Sequence, residues 1–220
     1  IRMTQVASTN SPLLHAEQLS SIRGGRVLFE NLNFSVSAGQ LWQVSGPNGA
    51  GKSSLLRILT GLLAPSNGLV SFYGKPLSHN WSEYCEQLLF IGHKAAVKGE
   101  LSARENFHWQ QQLSSTEDID AWELLEKLGL LGLEDELTAR LSAGQQRRVA
   151  LTRLWATQAS LWILDEPFTA LDVQGIALLQ QRFVEHIQNG GTIIFTSHQS
   201  LTLSDLTPEK LSLEYQGEIL

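Results

Sequence analysis

Cysteine occurs once in the 220 residues, at Cys85, which excludes an internal disulfide, a C-x-x-C metal pair and a C-x-x-C-H haem attachment. A reducing cytosol suits such a chain. Long hydrophobic runs are missing as well: stretches such as Leu161-Trp162-Ile163-Leu164 are strand-sized, whereas a membrane-crossing helix needs ~20 apolar residues. Any membrane role is expected to come through a partner. There is no surplus of positive charge either. With 16 Lys+Arg against 22 Asp+Glu the formal charge is -6, so composition offers no basic face to a phosphate backbone, and nucleic acid is not an expected partner. Sustained heptads are absent, which argues against long coiled coils. Residues 1–11 are polar and lack the charged-then-apolar layout of a secretory signal, so secretion is not expected.

What is present reads as alternating strand and helix. Residues 28–36 alternate in part between apolar and polar, and Gly39 precedes a short apolar run, Leu41-Trp42-Gln43-Val44, that ends at Gly46. After that turn Leu55, Ile58, Leu59, Leu62 and Leu63 form the apolar stripe of a helix, with Pro65 just past its end. Residues from about 80 to 140 have a different texture, rich in Gln, Glu and Trp, with Ile119, Trp122, Leu125 and Leu128 at helical spacing. They are expected to form a mostly helical lobe inserted in one domain spanning 1–220. Beyond it come a helix with Leu151, Leu154 and Trp155 on one face, the run 161–164, a helix carrying Ile176, Leu179, Phe183 and Ile187, and a buried strand over 192–196. This order predicts an α/β fold with a mainly parallel sheet, an antiparallel N-terminal β part and the helical lobe.

The stretch Gly46, Pro47, Asn48, Gly49, Ala50, Gly51, Lys52, Ser53 satisfies G-x-x-x-x-G-K-S between a strand and a helix. Glycines allow successive backbone N–H groups to turn inward as an anion nest, and the helix adds its positive N-terminal end. A triphosphate fits such a loop. Lys52 is expected to reach the β and γ phosphates, Ser53 to ligate Mg²⁺ and Ser54 to donate to an inner phosphate. The run 161–164 ends abruptly in Asp165 and Glu166. At the carboxyl end of a parallel strand Asp165 suits a Mg²⁺ ligand, and Glu166 suits the base or the orienter of the attacking water. His198 follows the strand over 192–196 and is expected at the same sheet edge.

Together these residues resemble the nucleotide-binding domains of ABC transporters, over nearly the whole chain. Leu141-Ser142-Ala143-Gly144-Gln145 is similar to the family signature L-S-G-G-Q, with one Gly replaced by Ala. Ala170-Leu171-Asp172 resembles the D-loop, His198 the switch histidine, and residues 101–106 the segment after the Q-loop. The resemblance implies ATP and Mg²⁺ as cofactors, and catalysis that depends on Glu166 and His198. It also implies a second copy of the chain paired head to tail, so that Ser142, Ala143, Gly144, Gln145 and Asp172 meet the partner's nucleotide. Finally, it implies an integral membrane subunit on whose cytoplasmic side the chain sits.

Two further positions depart from the family pattern. The aromatic residue that usually stacks on adenine has Arg23 as its nearest counterpart, so adenine is held by the flat guanidinium or only weakly. His93 stands where the Q-loop glutamine belongs and takes over its expected metal contact. Within the family, Ile91-Gly92-His93 together with residues 141–154 and 161–168 looks like the ATP-binding subunit of the haem exporter used in c-type cytochrome maturation, in the bacterial inner membrane. The alternatives are a transporter of another substrate and a soluble ABC ATPase acting on nucleic acid. No haem site is argued from His15, His79, His93, His108, His186 or His198, which read as solvated or motif histidines.

Overall fold

The computed structural model describes residues 11–114, 119–197 and 206–214. The chain opens with β1 (Leu14–Arg23) and β2 (Arg26–Val36), an antiparallel pair turned by Gly24 and Gly25, at φ 56° and 74°. Positive φ at both central residues is what a tight hairpin with right-twisted strands demands, and glycine supplies it without strain. Next come β3 (Leu41–Ser45), α1 (Lys52–Leu59), β4 (Asn67–Phe72) and the short β5 (Lys75–Pro76). Strands β2, β1, β4 and β5 form an antiparallel sheet in that order.

The second half supplies α2 (Trp81–Gln87), β6 (Leu88–Ile91), α3 (Ala103–Ser114), α4 (Ala121–Lys127), α5 (Ala143–Leu151), β7 (Leu161–Leu164), α6 (Val173–Gln188), β8 (Thr192–Thr196) and β9 (Glu209–Ser212). Five of the strands make a parallel sheet in the order β6, β7, β8, β3, β9. Every residue of β7 and β8 is buried, as strands covered on both faces must be. Because β8 lies between β3 and β7, the turn after β3 and the carboxylates after β7 open on the same edge of the sheet.

The core falls into patches that follow the layers. Leu55, Leu56, Ile58 and Leu59 of α1 pack with Phe72, Tyr84, Ile163 and Ile194, joining the two sheets through one helix. The Tyr84 hydroxyl donates to the Leu59 carbonyl at 2.6 Å, satisfying an orphan acceptor at the end of α1, and burial pushes the phenol pKa well up. On the other face Phe168, Phe183 and Phe195 meet edge to face, with Trp162 against Phe183.

Two sequence expectations need correction here. The helical lobe does not occupy the whole of 80–140, because Leu88–Ile91 is the edge strand of the parallel sheet, paired with β7. Four apolar residues behind a polar helix are too few to show a strand period. The helix expected to carry Leu151, Leu154 and Trp155 ends at Leu151, and Thr152–Leu154 tightens into a 3-10 turn.

Candidate functional site

The turn between β3 and α1 is shaped by glycines at positive φ: Gly46 at 145°, Gly49 at 84° and Gly51 at 93°. At Gly46 a side chain would run into the backbone carbonyl of Leu213, and at Gly51 a Cβ would lie 3.0 Å from Cβ of Leu28. Neither position accommodates another residue, on conformation or on space. Lys52 is buried at the start of α1, and its ammonium donates to the Gly46 carbonyl at 2.7 Å and the Pro47 carbonyl at 3.3 Å. The lysine thus spans its own loop.

A cavity of about 410 Å³ opens over this turn, lined by Asn48, Gly49, Gly51, Lys52, Ser53 and Ser54 on one side and by His93, Asp165 and Glu166 on the other. That volume falls within the range of small-molecule sites. Leu28 of β2 lines it too. Arg23 does not: its guanidinium donates to the Ala64 carbonyl at 2.8 Å. Of the two readings for adenine, held by the Arg23 guanidinium or held only weakly, neither is decided by this geometry, and the apolar surface on this side of the cavity comes from Leu28, which no local motif marks.

The acidic pair is held by three other elements. Asp165 is 3% exposed; its N–H donates to the Ile91 carbonyl at 2.8 Å, and its carbonyl accepts from the Arg147 guanidinium, which also donates to the Gly92 carbonyl. Burial pushes the Arg147 pKa down, while the charges of Asp165 and Glu166 pull it back up. On the strand side the Thr196 hydroxyl lies 2.8 Å from Asp165 Oδ1 and 2.8 Å from the Glu166 N–H. Glu166 sits at φ 52°, a conformation that costs a non-glycine residue ~1–2 kcal/mol. Such strain persists only where the surroundings over-determine it. Arg147 and Thr196, which hold this pair, are positions that the sequence motifs did not single out.

The other expected residues lie apart from the cavity. Ser142 caps α5: its hydroxyl accepts from the Gln145 N–H at 3.3 Å, and Gln145 Oε1 accepts from the Ser142 N–H at 2.8 Å, a reciprocal capping box. Ser142 and Ala143 are exposed and Gly144 half-buried, and none of the segment 142–145 lines the cavity. Asp172 is exposed and caps α6 through the Gly175 N–H at 2.8 Å. His198 lies outside the described residues.

Mg²⁺ prefers oxygen ligands and keeps several waters. The Ser53 hydroxyl and the Asp165 carboxylate, on opposite sides of one cavity, are donors of that chemistry, so the residues present fit the ion.

Comparison with known proteins agrees with this architecture. Residues 29–169 match the ABC transporter family. The chain is 90% identical to the cytochrome c biogenesis ATP-binding export protein CcmA of Idiomarina loihiensis, covering 99% of this chain and 100% of that one. It is 48% identical to the protein of the same name from Haemophilus influenzae, covering 93% and 97%. A solved ATP-binding subunit of an ABC transporter superposes with a TM-score of 0.76 at 25% identity, covering 93% of this chain and 88% of that one. A dimeric ATP-binding cassette in a post-hydrolysis state with ADP and Pi shares the fold at 0.76 and 20% identity, covering 92% and 96%. The chain belongs to the ABC transporter family, among its ATP-binding subunits.

Proposed function

We propose that this chain is the ATP-hydrolysing subunit of an exporter serving c-type cytochrome biogenesis, acting as one nucleotide-binding unit, and that the work it drives is haem transfer or release of a haem chaperone. The observation that carries the ATPase reading is the shared cavity, which sets a glycine-rich turn with a buried lysine against a buried aspartate and a strained glutamate. The export role rests on the high identity to proteins named for it.

ATP is the substrate. Backbone N–H groups of residues 46–51 and the N-terminal end of α1 would receive the phosphates, with Lys52 exchanging its loop carbonyls for the β and γ oxygens. Ser53 and Asp165 would hold Mg²⁺, which, when bound, neutralises charge between the β and γ phosphates. His93 lines the same cavity from the strand β6 side, which supports a contact from it to a water or the ion. Glu166 orients the attacking water or takes its proton. One copy offers Ser142 and Gly144 at an exposed helix start, away from its own cavity. That placement suits a second copy docked head to tail, its signature closing over the first copy's γ-phosphate. No helix among the described residues is long and apolar enough to cross a membrane, so attachment to the cytoplasmic face of the inner membrane falls to an integral membrane partner.

Glu166→Gln keeps the shape and removes the basic carboxylate. Hydrolysis should fall by ~10²–10⁴ while ATP binding persists, and c-type cytochromes should fail to mature in cells that carry only this variant. Near-normal turnover would remove Glu166 from the mechanism, and normal cytochrome maturation with a dead ATPase would remove the export role.

A further inference from the structure

We propose that Thr196 is a positioning residue of the nucleotide site, its hydroxyl setting the Asp165 carboxylate for a divalent cation and pinning the backbone of Glu166. The proposal rests on the roles given above to those two carboxylates.

The polarity of three groups fixes the direction of each hydrogen bond. The Glu166 N–H can only donate, so the hydroxyl 2.8 Å away must accept it. A hydroxyl has one proton, and with a lone pair engaged by Glu166 that proton goes to Asp165 Oδ1, also at 2.8 Å. An ionised carboxylate can only accept, so every demand is met without ambiguity. One lone pair of Asp165 Oδ1 is thereby engaged, which restrains the carboxylate and leaves its other lone pairs for a cation. The same hydroxyl holds the amide of Glu166 at φ 52°, where the strained backbone needs an external partner.

The rest of Thr196 explains why the hydroxyl can act as a fixed point. The residue is wholly buried at the end of β8 and paired with Val44 of β3, the strand that feeds the phosphate loop. Strand β8 runs between β3 and β7, so the hydroxyl lies between the loop and the acidic pair by topology. A β-branched side chain has few χ1 choices, and burial removes most of those.

The test compares Thr196→Ser, Thr196→Cys and Thr196→Val in the full chain. Serine keeps the donor, a thiol donates weakly and valine keeps only the shape. The Mg²⁺ concentration for half-maximal ATP hydrolysis should rise by ~10–100-fold in Thr196→Val, by less in Thr196→Cys, and by no more than about 3-fold in Thr196→Ser. Binding of a fluorescent ATP analogue without Mg²⁺ should be unchanged in all three. A second readout needs no nucleotide: hydrogen exchange at the peptide containing the Glu166 amide should quicken in Thr196→Val and stay at the wild-type rate in Thr196→Ser. Should valine prevent folding, the cysteine and serine variants carry the comparison, and equal Mg²⁺ requirements in those two would overturn the role. Wild-type Mg²⁺ dependence and amide exchange in Thr196→Val would overturn it directly. Asp165→Asn, measured alongside, separates the two assignments. An unchanged Mg²⁺ requirement there refutes the role of Asp165 and takes that of Thr196 with it, whereas a raised requirement beside a wild-type Thr196→Val refutes the positioning role alone.

Discussion

His186 should make the fold of this protein weaken in mild acid, by an amount that the packing around the ring sets. The imidazole on α6 stacks on Trp162 of β7 with centroids 3.6 Å apart and planes 11° from parallel, and its Nε2–H donates to the Ser160 carbonyl at 3.2 Å. Gly191 crosses so close to the ring that any side chain there would collide with it. His186 as a whole is 9% exposed. Burial disfavours the imidazolium, and Arg182, one turn earlier on α6 and 5.4 Å over the Trp162 ring, repels it further. Hydrogen bonds to Ser160 and Thr192 pull the other way without prevailing, and the pKa is pushed down from 6.5 to about 4.

A depressed histidine pKa means that the unfolded chain takes up a proton near pH 6.5 while the folded chain refuses it until about pH 4. The stability associated with neutral His186 is thus fully present above pH 6.5 and drains away as pH falls toward 4. A displacement of 2.5 units corresponds to ~3.4 kcal/mol in the acid limit, of which ~2 kcal/mol is lost between pH 7 and pH 5. For a chain of this size that is a fall in Tm of ~4–8 °C. Other groups titrate in the same window, so the measurement is a difference: urea or thermal unfolding of wild type and His186→Phe, each at pH 7 and pH 5. Phenylalanine keeps a flat ring on Trp162 and loses the titration. It also forfeits the bond to Ser160, which lowers stability equally at both pH values. The variant should therefore be the less pH-dependent of the two by ~2 kcal/mol. Parallel pH profiles would refute the reasoning.

Arg147→Met should cost ~2–4 kcal/mol in urea unfolding, because the half-buried Gly92 carbonyl and the buried Asp165 carbonyl lose a forked donor at once; Arg147→Lys should recover little of this, since one ammonium cannot reproduce the fork. Mixing Lys52→Ala chains with Gly144→Asp chains, each inactive alone, should restore part of the ATPase activity, since a mixed dimer can assemble one site from two sound halves; a mixture as dead as its parents at every ratio would exclude assembly in trans.

How much of this could be read in the chain depended on how local each feature is. The phosphate loop is contiguous, and its glycines are required by backbone conformation within the turn itself, so eight letters carry it. Asp165 and Glu166 were legible because four apolar residues precede them and a parallel strand puts such an ending on the ligand edge. The residues that hold that pair were not. Thr196 stands 31 positions from Asp165 and Arg147 stands 18, and their partnership exists only once β7, β8 and α5 have met. Strand β6 hid for a related reason: its four residues make sense as a strand only against β7. Leu28 lies in a strand whose alternation says which residues are apolar, and nothing in that pattern says that one of them borders the cavity.

The signature segment shows why the structural and functional readings of one residue need not compete. Ser142 is a helix cap, and its oxygen accepts from the Gln145 N–H. A hydroxyl that accepts through a lone pair still has its proton, and that proton is not used in the cap. Gln145 spends its side-chain oxygen on the Ser142 N–H and keeps its amide hydrogens. The capping box therefore consumes acceptors and leaves donors, at an exposed helix start whose own dipole favours an anion. A phosphate brought by a second copy would meet one hydroxyl and one amide already oriented by the cap. Replacing Ser142 by alanine would remove the cap and the donor together. Replacing it by aspartate would keep a good cap while opposing the phosphate with charge, so the aspartate variant is the one that tells the two roles apart.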